Sequence, residues 1–295
     1  MKEFTRRILS IAIPITLQNL ISTGLNLVDN LMIGQLGTTA IAAVGLVNQV
    51  VFILNLFTFG ASSGAGIFVS QYWGKRDEKS IEKTLGHIIY ITMGAATVFF
   101  VLLFAFPEGI LKIFTSDVEV IRLGAEYARP VAFSTFLTSF SFIMAMALRT
   151  VEKARIPLYI SLVALSINTV GNYILIFGFG SIPAMGVFGA SIATLVARIA
   201  EFFIFLFIAL RRLTPIRFTL YAFRFDGPFF RRLMKYATPV IFNEFLWSLG
   251  VTVYSLVMAR MGTEFIAARN ISSTIENFGF VIFGGLASAT VVMVG

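Results

Sequence analysis

The residues with chemical potential in this chain are polar groups placed inside long apolar runs. Asp29 lies in Ser22-Thr23-Gly24-Leu25-Asn26-Leu27-Val28-Asp29-Asn30, about one turn from the far end of the first run. Asn26 precedes it by three residues, on the same helical face. A carboxyl group in hydrocarbon costs several kcal/mol unless paired or hydrated, so its presence marks a functional position. A proton would neutralise it, and so would a bound cation; a simple reach to the outer interface or a bond to Asn26 would also satisfy it. Asn168 and Asn172 stand four apart in the fifth run, with Ser166 and Thr169 nearby, stacking two amides on one face. Such a ladder can join helices. Its carbonyl oxygens can equally complete a hard-cation shell begun by Asp29, giving a candidate Na+ site at Asp29, Asn168 and Asn172. Thr194 in the sixth run offers a hydroxyl, unless that group bonds its own backbone.

Glu244 differs from these. It sits in Asn243-Glu244-Phe245-Leu246-Trp247, five residues after Pro239, with no basic residue within a turn on its face. A carboxylate beside aromatic rings suits a proton, a sodium ion or an organic cation; pairing with another helix is the structural alternative. Arg198 and Glu201, three apart, are expected to neutralise one another. Glu276 and Asn277 could line the same cavity as Glu244, and His87 opens the third run without an evident partner. Gly60 and Gly64 have the spacing of a close helix crossing. Pro14 and Pro239 each remove a backbone donor in the first half of a run and favour a bend.

Helices must position these groups. The chain has 295 residues, 57% hydrophobic and 13% charged, whereas a soluble domain is about one quarter charged. Its mean hydropathy is +0.88. Spanning about 30 Å of hydrocarbon takes roughly 20 apolar residues in a helix. Eight runs qualify: 10–35, 44–72, 86–106, 120–148, 157–179, 187–210, 233–260 and 266–295. The expected fold is all-α, a polytopic helical membrane protein, with a short interfacial helix over Pro107 to Ser116. The first run, Ile8 to Ile33, is too long for a cleavable signal and is expected to stay as a helix.

The net charge of +8 reads as topology and not as a nucleic-acid site, because most basic residues occupy every second connection. Lys2, Arg6 and Arg7 precede the first run; Lys75, Arg76, Lys79 and Lys83 follow the second; Arg149, Lys153 and Arg155 follow the fourth. Arg211, Arg212, Arg217, Arg224, Arg231, Arg232 and Lys235 follow the sixth. The amino terminus is therefore expected in the cytoplasm. Zero cysteines and one histidine leave little material for an enzyme: no thiol nucleophile, no thiolate metal site, no histidine-rich centre. No cofactor is expected beyond Na+ or H+.

Displaced by 225 residues, the sequence meets itself without a gap. Arg6-Arg7 falls on Arg231-Arg232, Ala12 on Ala237, Pro14 on Pro239, Gly37-Thr38 on Gly262-Thr263, and Ile41-Ala42-Ala43 on Ile266-Ala267-Ala268. The expected organisation is a six-helix lobe over 1–215, a cytoplasmic linker over 216–230, and the first two helices of a second lobe over 231–295. Two such units would make about 450 residues and twelve helices, an architecture of parallel repeats found among transporters. A chain ending within the second copy is thus expected to be a truncated form or gene fragment.

The sequence resembles the multidrug and toxic compound extrusion (MATE) family. The residues that carry the resemblance are Ile13-Pro14, then Leu27-Val28-Asp29-Asn30-Leu31-Met32-Ile33-Gly34, Leu36-Gly37, Ala42-Ala43-Val44-Gly45 and Gly74-Lys75-Arg76-Asp77. Asn168-Thr169-Val170-Gly171-Asn172-Tyr173 and Gly186-Val187-Phe188-Gly189-Ala190-Ser191-Ile192-Ala193-Thr194 add to it. The resemblance implies two lobes facing each other in a V, exporting small-molecule organic cations from the inner membrane in exchange for protons or sodium. It implies that Asp29, Asn168, Asn172 and Thr194 match the ion or proton site, Pro14 a bend beside it, and Glu244 an acidic position of the seventh helix. Some members carry Asp where this chain has Asn172, so one charge fewer is expected here. A monomer in the lipid bilayer is the expected state, and a flippase for lipid-linked sugars is the nearest rival.

Overall fold

The computed structural model describes residues 2–211, 214, 216, 219, 222–261, 280 and 290. For residues 2–11, 25, 26, 251, 252 and 254–261 it describes the backbone only. Helices account for nearly all of it: α1 (Lys2–Gly34), α2 (Thr38–Gly74), α3 (Glu78–Ala105), α4 (Pro107–Phe114), α5 (Val118–Thr150), α6 (Arg155–Phe177), α7 (Gly186–Leu210) and α8 (Gly227–Met261). No strand occurs among the described residues, only an isolated bridge between Phe179 and Ile182 in the turn joining α6 to α7. Seven expected runs coincide with long helices, and α4 is the expected short one. The eighth run, with Glu276 and Asn277, lies outside the described residues apart from Phe280 and Thr290.

Five helices, α2, α3, α5, α6 and α7, are long and apolar enough to cross a membrane. α1 and α8 are as long, at 33 and 35 residues, although their side chains are described only in part. Both continue as helices through Pro14 and Pro239. Helix starts follow from the sequence. Asp77 caps α3 by accepting from the Ser80 N–H at 3.1 Å, and Asp117 caps α5 by accepting from the N–H groups of Glu119 and Val120. The Ser80 bonds also hold the Asp77 carboxyl below the usual carboxylate range. Gly37, at φ 108°, makes the turn between α1 and α2 that a side chain would strain.

α5 is the central post: 67% of its apolar window is buried, against 28–33% for the other four. It packs on α2, α3 and α7, while α6 pairs with α7 and α1 leans on α6. Two cores fill the bundle. One, at the end that carries the α2–α3 turn, gathers Ala61, Ile81, Leu85, Met144, Leu148, Phe205 and Leu233; the other, towards the opposite end, gathers Ile33, Val44, Val47, Leu111, Val131, Ile176 and Val187. α8 crosses α2 where Gly60 and Gly64 let the backbones meet. A Cβ at Gly64 would lie 2.6 Å from the Ala237 Cα, and one at Gly60 2.9 Å from the Ile241 Cα.

The described residues between α7 and α8 are docked against the bundle. Ile216 and Ala222 are fully buried. The Thr219 N–H donates to Glu82, Tyr90 donates to the Phe223 carbonyl, and Lys83 pairs with Asp226. His87, expected to lack a partner, holds the centre. Its Nδ1 lies 2.7 Å from the Lys83 carbonyl, its Nε2 accepts from the Asp226 N–H at 3.0 Å, and its ring stacks on Phe225. A carbonyl on one side and an N–H on the other make Nδ1 the donor and Nε2 the acceptor.

Candidate functional site

Five helices bring the polar residues to one cavity. Asn168 and Asn172 share a face of α6, and the close approach of Gly171 to Ala193, 3.1 Å from where a Cβ would sit, lets α7 place Thr194 opposite them. The Asn172 amide donates to Asp29 Oδ1 at 2.6 Å, and the Asn168 amide stands 3.4 Å from Thr194 Oγ1. The structure therefore brings Asp29, Asn168, Asn172 and Thr194 together. The cavity holds about 410 Å³ and is lined further by Asn48 and Asn55 of α2, Tyr127 of α5, and Arg198 and Glu201 of α7.

The satisfaction of these groups is incomplete. Asn172 is 1% exposed, yet its carbonyl oxygen has no partner, and the Thr169 hydroxyl is also unpartnered. The orientation that satisfies the Asn168 amide turns its nitrogen to Asp29, where it donates to both carboxylate oxygens at 3.0 Å. The donor set, carboxylate plus amide and hydroxyl oxygens, fits a hard cation such as Na+.

Other expectations fall differently. Arg198 donates to Glu201 at 2.7 Å as its spacing predicts, but the pair stands on the cavity wall and not on an inert face. Glu244 is outside the cavity lining, on α8, and no hydrogen bond partners it among the described residues. The side chain of Asn26 lies outside the described ones. Ser166 bonds the Leu162 carbonyl of its own helix and takes no part in the site. The sequence reading missed Tyr127, which is 5% exposed and places its hydroxyl beside Thr194 and Asn48. It also missed Gln18, which donates to Ser161 at 2.7 Å and accepts from Arg149 at 2.7 Å, tying α1 to α5 and α6. A polar residue in an apolar run was the available signal for both.

Fold and site together define an all-helical, multi-pass membrane protein with a half-buried carboxylate facing a polar cavity. The MatE family profile matches residues 14–174, more than half of the chain, which therefore belongs to the MATE family of multidrug efflux transporters. A probable multidrug resistance protein NorM of Rhizobium meliloti is 30% identical over 98% of this chain and 62% of its own length. The probable multidrug resistance protein YoeA of Bacillus subtilis is 26% identical over 90% of this chain and 58% of its own. A solved structure described as the outward-facing conformation of a multidrug resistance MATE family transporter superposes with a TM-score of 0.87 at 22% identity, covering 97% of this chain and 63% of that one. This chain thus spans about three fifths of the relatives it matches.

Proposed function

We propose that this chain works as a cation-coupled secondary antiporter, exporting organic cations by alternating access, with Asp29 as the ion-binding group. The unpartnered oxygen of buried Asn172, beside the Asp29 carboxylate on the cavity, carries this reading. With the carboxylate and the Thr194 hydroxyl it supplies oxygen ligands that a proton or Na+ would take. A bound ion can drive a rearrangement only if the two arrangements bind it differently. Asp29, on α1, would therefore meet Asn172 and Thr194 differently in each. Glu244 on α8 would serve the substrate or a second-lobe cation. The alternating distribution of basic residues supports a cytoplasmic amino terminus and insertion in the inner membrane.

The test is efflux of a cationic dye from proteoliposomes under an imposed Na+ or proton gradient. Asp29→Asn is expected to reduce gradient-driven efflux at least about tenfold, the scale of a full coupling free energy. Efflux at the wild-type rate in that variant would refute the proposal.

A further inference from the structure

Glu201 is buried, Arg198 is not, and the two share a single hydrogen bond through Nη1 of Arg198. Both line the cavity that holds Asp29, and among the described lining residues these three are the only charged ones. Arg198 stands four residues, about 6 Å of helix rise, from Thr194 on the same face of α7. Its charge acts on Asp29 as well as on Glu201. A guanidinium has five N–H donors, so one bond to Glu201 leaves others able to turn towards a second carboxylate.

We propose that Glu201 is the residue that keeps the Asp29 cavity open to a cation, by holding Arg198 away from Asp29. This deepens the cation-coupling proposal and rests on it. With Glu201 ionised, the three charges leave the cavity one positive charge short of neutral, and a single proton or Na+ from solution restores balance. Without that anion, Arg198 becomes the counter-ion of Asp29, and the site neutralises itself. Glu201 is thus a positioning residue, acting through Arg198 on an ion it does not touch. Tyr127, the remaining titratable group on the wall, hydrogen-bonds as a neutral hydroxyl and does not alter the count.

The experiment measures binding of 22Na+ and proton uptake from weakly buffered solution by the purified protein, each corrected by the Asp29→Asn variant. Glu201→Gln is expected to weaken Asp29-dependent ion uptake at least about tenfold, the effect of one unit charge several ångströms away at intermediate dielectric. The double variant Arg198→Gln with Glu201→Gln removes both partners and is expected to return to within about threefold of wild type, since the cavity regains a lone carboxylate. Arg198→Gln alone should bind at least as tightly as wild type. A merely structural ion pair would make the double variant no better than Glu201→Gln. That result, or an unchanged Glu201→Gln, overturns the inference and leaves Asp29 as the coupling site. Absence of Asp29-dependent uptake of either ion in the wild type overturns both.

Discussion

Two polar clusters are buried in this protein, and they are finished to different degrees. Near the start of α3 His87 uses both ring nitrogens, Lys83 meets Asp226, and Asp226 caps α8 through the Phe229 N–H at 2.9 Å. Around Asp29 the Asn172 amide oxygen is left unpartnered beside a cavity. A fully satisfied network rigidifies what it joins, whereas a partly satisfied one at a charged group keeps room for something else. The first cluster therefore fastens the residues just before α8 to α3, and the second is where the proposed ion would bind.

Substitutions should separate the two. The largest effect is expected from Asp29→Asn, which should weaken ion binding about 10- to 100-fold with little change in thermal unfolding. Gly86→Ala should do the reverse. A Cβ there would fall 1.8 Å from the Ala222 carbonyl oxygen, so the docked segment must lift, costing about 1–3 kcal/mol in stability with ion affinity unchanged. His87→Ala strands the Asp226 N–H and should cost about 1–2 kcal/mol, read as a lower melting temperature in detergent. Asn172→Ala removes the amide oxygen offered to the ion and should weaken Na+ binding severalfold, less than loss of the carboxylate itself.

The smallest effect concerns acid. The Lys83 ammonium, and then the Phe229 N–H, hold the Asp226 carboxyl below its ordinary value of 3.8. Its contribution is complete above that value and is lost as pH falls through the lower folded one. The pair is partly open to solvent, so the loss is small. Asp226→Asn should flatten the acid side of the stability profile, measured by thermal unfolding from about pH 6 to pH 3.

The sequence carried part of this comparison. Local periodicity placed the long helices and α4, because apolar run length fixes a membrane helix with little help from elsewhere. The spacing of Asn168 with Asn172, and of Arg198 with Glu201, fixed which pairs share a face. What periodicity cannot fix is how helices rotate against one another. Tyr127 and Asn48 therefore went unnoticed, although each is a polar residue in an apolar run. His87 looked partnerless because its partner, Asp226, is 139 residues away, on a segment that reads as a linker. For the same reason the Arg198–Glu201 pair was legible as a pair and illegible as part of the cavity.

The most direct test of the account is charge movement on rapid ion addition, recorded from reconstituted protein on a solid-supported membrane. A step of Na+ or of protons should give a transient current in the wild type and in His87→Ala. Asp29→Asn should abolish it. A current of equal size in Asp29→Asn, or its loss in His87→Ala with the fold intact, would contradict the division between a fastening cluster and an ion-binding one.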